Sequence, residues 1–469
     1  MVDPSLPSAR VPSSRLPVEP RPPLEHLREL VRLPTMSRTE VEQTDLAPFD
    51  AFIEALPRLY PALHDALTRE IIAGHSLLYR WKGTDDGAPT VLMAHYDVVP
   101  ATEDGWEHPP FAAELTGSGD DELLWGRGTL DDKGSLVAVL EGVEAAVLSG
   151  AVPRSDLYLS FGHDEETVGS GAQAIVDVLA SRGIRPALVL DEGGAVVEGI
   201  FPGVTEPIAV VGVSEKGIVT LTLSVDQDGG HASTPPKLSA TARLARAIVR
   251  LNRRPFRSGF TPTNVEMIET LGGHAGGALR WVFSNLWLTR PLLLRLFGRL
   301  SDETAAMVRT TQAVTQLSGS QAANALAERA VATVNIRVAV GSSVAEAVQH
   351  VRRAIRDPRV TIAVPQASEP SPVSPTRGPA WDLLHSTIVE TYPGTIVTPY
   401  VMLAASDSRH FARISDHVYR FSPFRMSAAE RGTLHAMNER MHVATFLRGV
   451  EFYTRLVRSL SADQRSGRA

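Results

Sequence analysis

Three short apolar runs in this chain end directly in histidine or carboxylate residues, and few folds accommodate that repetition. Val91-Leu92-Met93 leads through Ala94 into His95-Tyr96-Asp97, and Leu157-Tyr158-Leu159-Ser160-Phe161 leads into Gly162-His163-Asp164-Glu165-Glu166. Ala187-Leu188-Val189-Leu190 leads into Asp191-Glu192-Gly193-Gly194. A brief apolar run bounded by turn residues reads as a buried strand. Charged groups just past such strands are costly unless solvated or paired, and independent surface loops would not all place their acids there. In open α/β sheets the site lies beyond the carboxyl ends of the strands. The expected fold is therefore α/β, a central mixed sheet with helices on both faces.

A further acidic turn, Gly126-Arg127-Gly128-Thr129-Leu130-Asp131-Asp132-Lys133-Gly134, opens a helical pattern over residues 135–148. A helix N-terminus favours negative charge, so capping would account for Asp132, though less readily for both carboxylates. Alternation along a strand puts His95 and Asp97 on one face, where the imidazole can ligate a metal and the carboxylate can orient it.

Two metal ions need about two exclusive ligands each plus one bridge, with the ions roughly 3.5–4 Å apart. His95, Asp131, Glu166, Asp191 and His435 supply that number of N/O donors. Glu165 is left beside Glu166, free to act as a general base. The chain has no cysteine, which excludes disulfides, thiolate ligands and a cysteine nucleophile. The expected cofactor is two divalent ions, zinc first, with manganese and cobalt also suited to this donor set. On the residues alone this is a metallohydrolase.

A formal charge of -7 argues against a nucleic-acid partner. Residues 1–23 are rich in Pro, Ser and Arg without an apolar segment, and read as a flexible N-terminal arm, not a signal peptide. No apolar run approaches the roughly 18 residues of a membrane span, so a cytoplasmic location is expected.

From Gly217 the texture changes to alternating strands and amphipathic helices, in the order strand, helix, strand, strand, helix, strand. That order suggests a small α+β unit with one open face. Within it, residues 254–307 carry many large apolar side chains, densest between Trp281 and Leu300. The preferred reading is a helical core pair under a lid; the alternatives are a wall for an acyl substrate or a membrane-surface contact. The Pro- and Ser-rich residues 367–379 read as a linker before α/β texture returns.

Residues 93–100, 126–134, 163–171, 190–194, 230–233, 406–411 and 435–440 occur in the order found in the metallopeptidase M20 family and resemble it. Gly105-Trp106, Pro110-Phe111, Arg309-Thr310-Thr311 and the apolar insertion look more like its carboxypeptidase S and fatty-acyl-amino-acid hydrolase branch. The resemblance implies a zinc exopeptidase-like catalytic domain over residues 24–214 and 367–469, interrupted at 215–366 by a ferredoxin-like lid and dimerisation domain. It implies that Asp131 bridges two ions, with His95 and Asp191 on one and Glu166 and His435 on the other. Glu165 would be base and acid, Asp97 would orient His95, and Asp132 would follow Asp131 through a cis peptide. His231 would support the oxyanion, in dimeric relatives from the partner subunit, so a homodimer is implied. Arg337, Asn324 and Arg409 would hold a substrate carboxylate. The chain departs from the family at Ala325-Leu326-Ala327, where Val-Ile/Leu-Pro is frequent, and at Leu403-Ala404-Ala405, where glycine is common. The expected activity is metal-dependent hydrolysis of N-acyl amino acids by a metal-activated water, with a dipeptidase or carboxypeptidase as the alternative. A non-catalytic ligand-binding or membrane-surface protein on the same fold is the alternative of another class.

Overall fold

The computed structural model describes residues 22–167 and 169–461. The arm expected over residues 1–23 lies, through residue 21, outside the described residues; Pro22 and Pro23 open the helix Pro22–Val31.

A nine-stranded mixed sheet forms the larger layer. Its main path runs through strands Thr68–Ile72, Ser76–Trp81, Leu157–Gly162, Thr90–His95, Leu188–Asp191, Val418–Arg420, Ile208–Glu215 and Ile396–Met402. The Thr90–His95 strand is wholly buried and pairs in parallel with both Leu157–Gly162 and Leu188–Asp191. Parallel pairing brings the carboxyl ends of these three strands to one edge of the sheet, and His95 stands opposite Gly162 in the register. Helices Lys133–Leu148 and Val443–Leu460 pack together against this sheet through Leu136, Val139, Leu140, Phe452 and Leu456.

The second sheet is four-stranded and antiparallel, in the order Thr311–Ser318, Arg329–Val338, Gly217–Asp226, Thr361–Ser368. Helices Ala240–Asn252 and Val344–Ile355 cover one face of it. This is the β-α-β-β-α-β order expected from the sequence. Burial alternates residue by residue along Arg329–Val338, as a strand with one covered face requires.

Three expectations are corrected. Residues 367–379 are not a free linker: Ser371 N–H donates to Glu215 O, Ser374 N–H to Val213 O, and both serines are buried. Proline and serine there suit an extended segment laid along a sheet edge, and composition alone does not separate that from a linker. The apolar spacing of residues 46–63 reads as one helix, but the structure divides it into Ala47–Leu59 and Pro61–Ala66, because the residue before a proline is pushed out of the helical region. The insertion does not pack in the lid's core. Its helices Pro262–His274, Gly277–Ser284 and Leu286–Leu300 add Met267, Ile268, Leu271, Phe283, Leu293 and Phe297 to the core of the larger unit.

Candidate metal centre and active site

His95 ends its strand with only 2% exposure. Its Nδ1 lies 3.0 Å from Asp97 O and 3.3 Å from Asp97 Oδ1, which leaves Nε2 facing Asp131 Oδ1 at 3.0 Å and Glu192 Oε1 at 3.4 Å. Asp97 does more than orient this ring. Its carboxylate accepts bonds from Ser37 Oγ (2.7 Å) and from the backbone N–H groups of Glu165 and Glu166, both at 3.1 Å. Burial pushes the Asp97 carboxyl up, but His95, Ser37 and the Glu166 N–H outweigh it and hold it ionised below its ordinary range. One carboxylate therefore fixes both a ligand ring and the turn that carries Glu165 and Glu166.

Asp131 stands between two imidazoles, with Oδ2 2.9 Å from His435 Nε2. His435 Nε2 is also 3.1 Å from Glu166 Oε2. His435 adopts φ 57°, a conformation rare outside glycine and asparagine that clusters at functional sites. The peptide between Asp131 and Asp132 is cis. Asp132 occupies the N-cap of the Lys133–Leu148 helix, yet its side chain makes no capping bond; Oδ2 accepts the His95 N–H at 3.3 Å. The capping account of Asp132 is thereby replaced by a contact to a site residue.

Ligand atoms of His95, Asp131 and Glu192 lie within 4.8 Å of one another, and so do those of Asp131, Glu166 and His435. Glu192 thus stands beside His95 and Asp131 where the family resemblance implies Asp191. Asp191 points the other way and accepts the Ser408 N–H at 2.9 Å. Consecutive residues at a strand end face opposite sides, so only one of the two acids can meet His95. Gly193, at φ 132°, and Gly194, packed so closely on Val210 that a Cβ would overlap its carbonyl oxygen, carry the chain away from Glu192.

The donors fit a pair of divalent ions sharing Asp131. Two ligand atoms about 2.0–2.2 Å from one tetrahedral zinc stand roughly 3.3–3.6 Å apart, and the histidine-to-carboxylate separations here are 2.9 to 3.4 Å. Glu166 Oε1 is buried with no hydrogen-bond partner. Burial pushes the carboxyls of Glu165, Glu166 and Glu192 up, that of Glu192 to about 8, and neighbouring carboxylates add to the effect. The cluster has more buried negative charge than its two histidines can balance, which bound cations would correct.

Glu439, quoted in the sequence motif but given no role there, braces the Asp131 turn. Its Oε1 accepts N–H groups of Gly128 (3.0 Å), Leu130 (2.8 Å) and Asp131 (3.3 Å), while Oε2 pairs with Arg127 Nη1 at 2.7 Å. Its position four residues after His435 was the available signal; the 308 residues separating it from Asp131 hid the contact.

Arg337 lies on the lid strand and Arg409 in the turn Asp407–Arg413, near enough for the charge of one to act on the other. Burial lowers the Arg337 pKa and the charge of Arg409 lowers it further. Among the described residues neither makes an ion pair. His231 and Asn324 come together elsewhere on the lid: His231 pairs with Ala325 in a two-stranded ribbon, and Ala232 N–H donates to Asn324 O at 3.0 Å. Both side chains are exposed, and among the described residues neither touches the metal-ligand cluster.

Residues 91–459 match the family model described as Peptidase family M20/M25/M40. The chain is 37% identical over 443 residues to the "Probable carboxypeptidase S-like 2" of Dictyostelium discoideum, spanning 93% of this chain and 84% of that one. It is also 37% identical over 447 residues to the "N-fatty-acyl-amino acid synthase/hydrolase PM20D1" of Xenopus tropicalis, spanning 94% and 86%. Among solved structures, the M20 family metallo-carboxypeptidase Sso-CP2 of Sulfolobus solfataricus superposes with a TM-score of 0.68 at 16% identity, over 93% of this chain and 99% of that one. Sequence and fold alike match over nearly the whole length of the chain: it belongs to peptidase family M20/M25/M40 and is a hydrolase of amide or peptide bonds.

Proposed function

We propose that this enzyme hydrolyses long-chain N-acyl amino acids at a dinuclear centre, most simply zinc, held by His95, Asp131, Glu192, Glu166 and His435. The observation that carries the acyl preference is an apolar cavity of about 430 Å³ beside the ligands, within the roughly 300–1,000 Å³ of small-molecule sites. Gly193 and Gly194, which follow Glu192, and Leu434, which precedes His435, form its inner wall. Phe201, Phe283, Leu293 and Phe297 carry it outward among the insertion helices. A dipeptide would leave that wall unused.

The ions, when bound, would polarise the scissile carbonyl and ease deprotonation of water. Glu165 takes a proton from the attacking water and passes it to the leaving amine. The unpaired Arg337 and Arg409 hold the carboxylate of the amino-acid product end, for which a guanidinium fork is suited. His231 supports the oxyanion; exposed, and with its side chain bonded only within its own loop among the described residues, it would serve the partner's site in a homodimer.

A matched panel tests the reading. With N-lauroyl, N-acetyl and dipeptide substrates of the same amino acid, kcat/KM is expected to rise steeply with acyl length, each buried methylene adding about 0.8 kcal/mol of binding. The methyl ester of the lauroyl substrate is expected to show a raised KM. A preference for the dipeptide would make the protein a peptidase and the cavity a packing defect of the insertion.

The ligand assignment has its own test. Glu192→Ala is expected to leave one equivalent of bound metal where the parent protein holds two, whereas Asp191→Asn keeps both. Metal analysis of dialysed protein reads the difference, and the reverse pattern would restore Asp191 as the ligand.

A further inference from the structure

The insertion helices have two faces. On Leu286–Leu300, Thr289, Leu293 and Phe297 are buried at four-residue intervals. The stripe alongside it at the same spacing, Leu288, Leu292, Leu296 and Leu300, is about half exposed or more, Trp287 next to Leu288 is 82% exposed, and Trp281 of the preceding helix is exposed too. Isolated exposed apolar residues are ordinary, but a contiguous ridge of tryptophan and leucine marks an interaction surface.

The charge carried by the two helices themselves is of one sign. Residues 277–300 contain Arg280, Arg290, Arg295 and Arg299 and no acid, in a chain whose formal net charge is -7. All four arginines are exposed, and among the described residues none makes an ion pair. The acids Asp302 and Glu303 begin only in the next helix.

We infer that this ridge docks on an anionic lipid surface, with the two helices lying in the plane of the interface. Tryptophan and leucine on one face, flanked by arginine, is the pattern of interfacial helices. No described helix is long and apolar enough to cross a membrane. The ridge is also continuous with the cavity: Leu292, Leu296 and Leu300 are exposed and at the same time line it. A chain leaving the acyl layer could slide between them without meeting water. That delivery role rests on the acyl-amide reading; the docking itself does not.

The test uses the metal-loaded full chain and two vesicle types, phosphatidylcholine alone and phosphatidylcholine mixed with phosphatidylserine. Each arginine near an anionic surface strengthens binding about fivefold. Sedimentation is expected to show at least about tenfold tighter binding to the mixed vesicles. Trp287→Glu with Leu288→Glu, neither of which lines the cavity, is expected to abolish binding while leaving N-acetyl-amino acid hydrolysis unchanged. Arg295→Gln with Arg299→Gln, a milder surface change, is expected to lose only the preference for phosphatidylserine. Equal sedimentation of parent and both variants, or none by the parent, would overturn the inference. So would a dimer that the Trp287/Leu288 variant dissociates without any vesicle binding, which would make the ridge a contact between copies. A failed acyl-length preference with intact vesicle binding would remove the delivery role and leave the docking surface.

Discussion

Glu165→Gln is expected to lower kcat about a hundred- to ten-thousandfold, the usual share of a general acid–base group, with both metal equivalents still bound. The reason is positional. Glu165 N–H is anchored on Asp97 Oδ1 at 3.1 Å, so the backbone does not depend on the side chain. The side chain belongs to neither ligand group. Glutamine keeps its shape and cannot accept the proton. KM should change little, because the lost interaction is made in the transition state. Single-turnover rates with parallel metal analysis separate the two effects. Retained turnover would take Glu165 out of the proton path and direct attention to Asp407, a buried carboxyl whose charge acts on Glu165.

Glu439→Ala should cost about 3–5 kcal/mol of stability, the range for removing one partner of a buried ion pair. Glu439 and Arg127 are 0% and 4% exposed as side chains, and among the described residues Arg127 makes no second ion pair. Three backbone N–H groups of the turn would lose their acceptor in the same stroke. Because that turn carries Asp131, metal affinity should fall together with the unfolding temperature. Glu439→Gln, which keeps an acceptor oxygen, should lose less of both. An unchanged thermal transition in the alanine variant would show that the turn is held by other contacts.

The relation of sequence to structure is clearest at the three strand ends. His95, Glu166 and the Asp191-Glu192 pair were all marked by acids or histidine abutting a buried run, and the parallel register does gather them at one edge. What the marks could not convey was direction. Asp191 and Glu192 are adjacent, equally acidic and equally placed in the motif; only the path of the chain at Gly193 and Gly194 turns Glu192 toward His95 and Asp191 toward Ser408.

The insertion shows the same division. Its apolar content was plain in the sequence, and a core pair, an acyl wall and a surface contact were competing readings of it. The structure divides the residues among all three settings: Phe283, Leu293 and Phe297 are buried, Leu292 and Leu296 border the cavity, and Trp281 and Trp287 face out. Helical periodicity gives the spacing of such a stripe but not which neighbour occupies each face.

By itself, then, the sequence determined the residue types, the strand ends and the order of the chemistry, because these depend on local patterning that a short window contains. Only the tertiary structure decided that Glu192 and not Asp191 faces His95, that Glu439 braces Asp131, that Arg337 comes within range of the charge of Arg409, and that the insertion walls a cavity lined also by Leu434. Each of those depends on strand register and side-chain direction, quantities fixed when distant segments pack and not before.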